Sequence, residues 1–371
     1  MDFGLSEQQE QLRTSVAGFL AVEAQTIHAR AVAETGQTDA LAMWPRLAQL
    51  GWPGLALAEE YGGSGLGLIE LAIVLEEMGA VVMPGPFMSA TVLGSRAITL
   101  LGSGEQRQRL LPELASGARR ATLAMVETDG AWQLDGRGSS AKRTEQGWEL
   151  NCHKLFVPDA DGADLVLVAA GMDEGAGLFV VDGVDLELRH MRTVDATRQL
   201  YELSCTGLRL GPDRILGGGP FDVARAGALP DGARVALAAE LCGHARAALA
   251  MSLEHVAVRE QFGRPVGSFQ AIQHKCADMQ VAVENTRSLV YYAAWALDQG
   301  LDDASRAAAM AKAYASDHCP AVVEQAVQVH GGMGFTQEHD LHLFLKRAKA
   351  TETTFGDGAA NRERIAGLLG L

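Results

Sequence analysis

The sequence predicts an α+β fold of segregated layers, helices first, then strands, then helices again. Three observations carry that reading. Apolar residues recur at three- and four-residue spacing up to about residue 118. Residues 119–215 change to short apolar or alternating runs separated by Gly/Asp turns. From about Gly227 the chain is Ala-rich and helical once more. Elements grouped in blocks argue against an alternating β-α sheet. The expected division is an N-terminal helical domain over 1–118, a middle β-domain over 119–215 and a C-terminal helical domain over 220–371.

Each block is read from its own pattern. In the first, helical periodicity marks Leu5–Leu20, Leu41–Leu50, Leu68–Met78 and Ala90–Leu101, with a Gly-rich loop, Gly62–Gly67, before the third. In the second, Leu165–Ala169 and Leu178–Val181 are continuously apolar while Trp148–Asn151 alternates, so all three are expected as strands. In the third, helices are expected over Ala233–Val258, from Ser268, over Ala304–Cys319 and again after Pro320.

Composition narrows the function. The chain has 371 residues, enough for two or three domains with a sizeable core. A formal net charge of −15 argues against nucleic acid as a general partner, though not against a local basic patch for a phosphate-bearing ligand. No run reaches the ~18 apolar residues needed to cross a membrane, and Met1–Leu12 is acidic and polar. The five cysteines, Cys152, Cys205, Cys242, Cys276 and Cys319, form no C-x-x-C pair, the pattern of reduced thiols in a cytoplasmic protein.

Two suggestive clusters are set aside. Gly63-Ser64-Gly65-Leu66-Gly67 lacks the third glycine of a dinucleotide loop, because position 68 is Leu68, and it fails as a nucleophile elbow. His339, Asp340 and His342 crowd a helix start, but a solvated polar turn explains them better than a metal site.

Two C-terminal stretches point to an anionic, phosphate-bearing cofactor. In VREQFGRPVGSFQAIQHKCADM (Val258–Met279) a helix is expected to stop at Phe262-Gly263, with Pro265 preventing continuation and Ser268 capping the next helix. That break sets Arg259 on one side and free helix N–H groups, with Gln270 in the first turn, on the other. Such a pair suits a pyrophosphate. In QVHGGMGF (Gln328–Phe335), Gly331-Gly332 lets backbone approach a ligand closely, with Gln328 one turn earlier. Taken singly, each is equally a helix corner with a surface arginine or a Gly-Gly turn.

Taken together and in this order, they resemble the C-terminal flavin segments of the acyl-CoA dehydrogenase family. Leu50–Gly79 (LGWPGLALAEEYGGSGLGLIELAIVLEEMG) and Gly147–Ala170 (GWELNCHKLFVPDADGADLVLVAA) extend the resemblance over most of the chain. It implies a helical domain, a β-domain, a four-helix C-terminal bundle, and FAD held between subunits of a dimer or tetramer. By position, Arg259, Gln261, Phe262, Gln270, Gln328, Gly331 and Gly332 would contact a neighbouring subunit's FAD. Phe156-Val157-Pro158 corresponds to the triplet that packs on the flavin, with Pro158 replacing a hydroxyl residue.

The resemblance implies removal of an acyl-CoA α-proton while the β-hydrogen leaves as hydride to flavin, so a carboxylate base is needed beside the α-carbon. Here Gly356 stands where many relatives carry that glutamate, and the other known location is Ala233. Three readings stay open. Asp357, flanked by glycines, can turn inward as base. Glu240, two helical turns after Ala233, can face the same cavity or serve as a buried structural acid. Or a homologous partner supplies the base, as in bacterial relatives that form mixed α2β2 tetramers on bulky, steroid-type CoA thioesters. The Gly356 N–H remains a candidate to polarise the thioester carbonyl. Gly358 and Ala360 replace a Thr and a Gln that bind the cofactor in relatives, and Val126-Glu127-Thr128 departs from Thr-Glu-Pro. The expected function is therefore an FAD-dependent acyl-CoA dehydrogenase subunit passing electrons to an unnamed acceptor. The alternative is a non-catalytic subunit that completes a partner's flavin site.

Overall fold

The computed structural model describes residues 4–35 and 41–371. Helices come first: α1 Glu7–Glu23, α2 Thr26–Thr35, α3 Trp44–Gln49, α4 Leu68–Gly79, α5 Arg96–Leu101, entered through a π-helical stretch Met88–Ser95, and α6 Gly104–Ala115. Strands follow: β1 Ala121–Ala124, β2 Ser140–Thr144, β3 Gly147–Pro158, β4 Leu165–Met172, β5 Gly175–Asp182, β6 Glu187–Met191 and β7 Leu200–Leu210. The chain then returns to helix in α7 Val223–Val258, makes a short hairpin (β8 Glu260–Gln261, β9 Arg264–Pro265), and continues through α8 Gln270–Asp298, α9 Ala304–His330, α10 Leu341–Thr353 and α11 Gly358–Leu368. The blockwise order read from sequence is the order observed.

By its contacts the chain forms two compact units. One contains residues 1–34, 67–84 and 234–371, the other 35–66 and 85–233.

In the sheet-bearing unit, β1 to β7 form one sheet of order β1-β4-β2-β3-β7-β6, with β5 on β4. The apolar run Leu165–Ala170 in β4 is buried on both faces, which is why it reads as continuous rather than alternating. Trp148 and Phe179 close the core edge to face at 5.4 Å, a pairing that adds about 0.5–1.5 kcal/mol beyond burial. Ser103 and Gln106 form a capping box at the start of α6, and Gln106 Nε2 reaches across to the Ile215 carbonyl at 2.7 Å.

The helical unit is built around α7. Its Ala233–Cys242 stretch is apolar on every side and wholly buried, except that Arg234 and Glu240 are carried in with it. Helices α8 and α9 pack together, α10 and α11 pack on α9, and α4 lies against α1 and α8. Gly67 has no side chain to cap α4, so Asp298 at the end of α8 accepts from the Leu68 N–H at 2.8 Å instead.

Three expected boundaries are corrected. Helix α9 runs through Pro320 without a break. A mid-helix proline loses one hydrogen bond and costs about 3 kcal/mol, but Pro320 is buried among its neighbours and packing outweighs the loss. Helix α7 begins at Val223 rather than Ala233 and ends at Val258, not at Phe262-Gly263. Those two residues, at φ 55° and 75°, are instead the tip of the β8–β9 hairpin, whose two positive φ angles match the strand twist. Ser268 does not cap α8. Its hydroxyl donates to Pro265 O at 2.7 Å, and Phe269 is the N-cap residue.

Candidate active site

The residues of the helical unit expected to meet a flavin form one exposed corner. Arg259 follows the last turn of α7, its N–H donating to His255 O at 2.9 Å. Gln261 and Phe262 lie on the hairpin, and Phe269, just before Gln270, stacks under Arg264 at 4.0 Å and meets Phe262 edge-on at 6.2 Å. The second segment joins this corner through stacked imidazoles. His255 lies 4.4 Å from His330, between Gln328 and Gly331, and His339 closes on His330 at 4.8 Å. Burial and neighbouring cations hold His255 below its ordinary pKa, and His339 likewise. Thus Arg259, Gln261, Phe262, Gln270, Gln328, Gly331 and Gly332 share one end of the unit, and all are exposed. Among the described residues, none pairs with the Arg259 guanidinium, and neither Gln270 nor Gln328 spends its side-chain amide. Asp340, set aside as a metal ligand, accepts from Thr26 Oγ1 at 2.6 Å and Arg30 Nε at 2.7 Å.

In the sheet unit, Phe156 and Val157 sit where β3 breaks register against β7, between Lys154/Leu203 and Val157/Tyr201. Phe156 takes φ 54°, and its N–H points to the Met191 sulfur at 3.4 Å. Such bulges re-aim side chains next to sites. Val157 is fully buried, and the Pro158 carbonyl accepts from Thr122 Oγ1 at 2.6 Å. Glu127, in the departing Val126-Glu127-Thr128 segment, is buried against β3. It accepts from Lys154 Nζ at 2.6 Å, from Ser139 Oγ at 2.7 Å and from the Gly138 N–H. Burial alone would raise its pKa, but these donors hold it below the usual carboxylate range.

The loop between α10 and α11 holds Gly356 and Asp357. Phe355 is buried at φ 58° and Gly356 takes φ 92°, two successive residues in the left-handed region. A Cβ on Gly356 would stand 3.0 Å from Asn361 Nδ2, a tight contact, and at this φ any side chain would be strained. The Gly356 carbonyl accepts from Lys312 Nζ at 2.9 Å and Asn361 Nδ2 at 2.8 Å. Its N–H, a candidate for the thioester carbonyl, already donates to Thr353 O at 3.1 Å. Asp357 is exposed and serves as N-cap of α11, accepting from the Ala360 N–H at 2.8 Å. At Gly358, a Cβ would fall 1.9 Å from Asp317 Oδ1, so the Asp317 carboxylate fills the space a threonine would need.

Glu240 is buried and accepts from Arg347 Nη1 at 2.8 Å, with His244 Nε2 at 3.7 Å. Arg347 also donates to Met83 O at 3.3 Å. Two buried cations, Lys312 and Arg347, therefore organise the polar interior of this unit, and sequence reasoning singled out neither. Lys312 had a visible signal: it is the lone charge in the Ala-rich run Ala307–Ala315. Arg347, in the basic run Lys346–Lys349, had none.

Comparison with known proteins shows the family. Residues 6–118 match the family model of the acyl-CoA dehydrogenase N-terminal domain, and residues 223–369 match that of its C-terminal domain. The probable acyl-CoA dehydrogenase YngJ of Bacillus subtilis (strain 168) is 30% identical, covering 98% of this chain and 98% of its own. A solved steroid ACAD, Tcur3481-Tcur3483, is 34% identical over 98% of both chains with a TM-score of 0.87. The ChsE4-ChsE5 complex from Mycobacterium tuberculosis is 28% identical over 100% of this chain and 99% of that one, with a TM-score of 0.91. This chain belongs to the acyl-CoA dehydrogenase family, FAD-dependent oxidoreductases that act on CH–CH bonds.

Proposed function

We propose that this chain is one subunit of a hetero-oligomeric acyl-CoA dehydrogenase that desaturates a bulky acyl-CoA, with a homologous partner supplying the base. One observation carries the reading. The loop carries no carboxylate side chain at Gly356, whose φ of 92° would strain any side chain there, while the side-chain donors of Arg259, Gln270 and Gln328 are displayed unspent. Likeness to a steroid ACAD and to the ChsE4-ChsE5 complex supports both the mixed assembly and the bulky, steroid-type substrate.

The donor set suits FAD. An unpaired guanidinium and two free amides on one exposed corner match a pyrophosphate and its sugar hydroxyls, and Gly331 and Gly332 leave open space at the backbone. Arg259, Gln261, Phe262, Gln270, Gln328, Gly331 and Gly332 would hold the cofactor, whereas Val157 is fully buried in the core of the sheet unit and offers it no surface. When bound, FAD supplies the hydride acceptor for the substrate's β-hydrogen. The chain's own share is to bind, orient and exclude water. Asp357, with its second carboxylate oxygen unspent on capping, is the alternative base. Glu240 would have to surrender its ion pair with Arg347 to take a proton.

A second reading, a non-catalytic subunit completing a partner's flavin site, is favoured by one feature: the capping role already explains Asp357. The Asp357→Asn variant separates the two. Asparagine keeps the capping acceptor and removes the base, so a fall in turnover of ~10²-fold or more with FAD retained identifies a catalytic Asp357. Unchanged turnover assigns the proton to a partner. Flavin content per chain, measured alone and after co-expression with a homologous chain carrying the glutamate, tests the mixed assembly. Full flavin content and full turnover without a partner would refute it. We place this assembly in the cytoplasm, in keeping with five buried, unbridged cysteines, with no helix among the described residues able to cross a membrane. Its electron acceptor is left to experiment.

A further inference from the structure

Lys312 lies in the middle of α9 with no exposed surface, and three acceptors face its ammonium: Ser316 Oγ at 2.7 Å, Glu352 O at 2.8 Å and Gly356 O at 2.9 Å. Ser316 gives its own proton to Glu352 O at 3.1 Å, so its oxygen can only accept from Lys312. All three contacts therefore require Nζ to donate, which matches the three protons of the charged form and exceeds the two of the neutral amine. Two of the three acceptors are backbone carbonyls on either side of Phe355. That residue and Gly356 hold left-handed backbone angles that nothing in their side chains would enforce.

We propose that Lys312 is a positioning residue for the substrate-facing loop, its ammonium fixing the Thr353–Asp357 backbone so that Gly356 and Asp357 hold one direction. The catalytic importance of that loop rests on the function proposed above; the clamp itself does not. Burial, reinforced by Arg234, brings the Lys312 pKa down to about 7, against the opposing pull of Glu352, Asp357 and Cys319. The Cys319 thiol is pushed up to about 12 and stays protonated across neutrality. The clamp should therefore loosen as pH rises through the neutral range, when Nζ can no longer serve all three acceptors.

The test is hydrogen–deuterium exchange of the full chain, reading the peptide that spans 353–361 against one from Leu341–Lys349 in the same helix pair. It needs neither flavin nor acyl-CoA, so failure of the clamp and failure of the proposed function are distinguishable. In the wild type, after correction for intrinsic exchange, uptake by 353–361 should rise at least tenfold between pH 6 and pH 8.5 while the reference peptide stays constant. Lys312→Met keeps the length of the side chain. It leaves Gly356 O with Asn361 and Glu352 O with Ser316, so it should fold. It should show fast uptake at both pH values and no step. Ser316→Ala removes one acceptor and should move the step to lower pH, which decides the matter if the methionine variant does not fold. A flat wild-type profile, or a Lys312→Met loop protected like the wild type, would overturn the clamp. In a turnover assay of the assembled enzyme, the same substitution should lower kcat and erase a pH step that Ser316→Ala only shifts; a uniform loss with the pH profile unchanged would mean a merely structural lysine.

Discussion

Two regions of the helical unit hold the residues proposed for its chemistry, and they are built in opposite ways. At the α10–α11 loop the backbone of Gly356 and the cap are engaged inside the chain: Lys312 and Asn361 hold Gly356 O, Thr353 holds the Gly356 N–H, and Asp357 caps α11. At the corner of Arg259 and Gln328 the polar side chains are exposed, and the guanidinium has no partner among the described residues. A buried donor or acceptor must be matched within the fold, because leaving it unmatched costs ~1–3 kcal/mol. An exposed one can wait for a ligand or a subunit. The loop is thus specified by this chain alone, and the corner awaits something from outside.

Mutations should separate the two regions, beginning with the interior. Arg347→Leu takes the 2.8 Å Nη1 donor away from the buried Glu240 carboxylate, and should cost ~3–5 kcal/mol in a urea unfolding experiment. A loss below ~1 kcal/mol would mean that water reaches Glu240 and would restore it as a candidate base. At the corner, Arg259→Ala should weaken flavin retention by ~10- to 100-fold, the worth of a charge-assisted hydrogen bond, with thermal stability nearly unchanged. If stability fell and flavin stayed, the corner would be structural after all. On the loop, Asp357→Ala should lose ~1 kcal/mol with the cap, and Asp357→Asn should lose very little.

The smallest effect should be the pH response of the imidazole stack. His255 and His339 are held below their ordinary pKa, so the unfolded chain binds more protons than the fold once pH drops under ~6.5. Stability should fall as pH decreases through that value and level off once the folded-state imidazoles are also charged. Melting curves between pH 7.5 and 5 would show it, and His255→Phe should flatten the slope. An unchanged slope would remove the stack from the account.

Much of this was legible in the sequence, for physical reasons that vary by region. The strand at Leu165–Ala170 announced itself because a segment buried on both faces must be apolar throughout. The corner was legible as a set, since Arg259, Gln270 and Gln328 keep their spacing whether or not the local helix ends are placed correctly. Those ends were misplaced because Phe262-Gly263 is not the usual Asn-Gly hairpin signal, and a glycine after an aromatic reads equally as a helix cap. Pro320 misled for the opposite reason: its local rule was overridden by burial, which a linear pattern does not display. Glu240 and Lys312 show the main gap. Each residue type is plain in the sequence, but Arg347 lies on another helix and the Gly356 carbonyl on the α10–α11 loop, far along the chain.

The central claim is that this chain presents flavin-binding groups without a complete proton-abstracting site. The direct test is the visible spectrum of the purified chain, alone and then assembled with a homologous glutamate-bearing subunit, before and after a steroid-type acyl-CoA is added. The account predicts that the flavin band bleaches only in the mixed assembly. Full flavin content and rapid bleaching in the chain alone would contradict it.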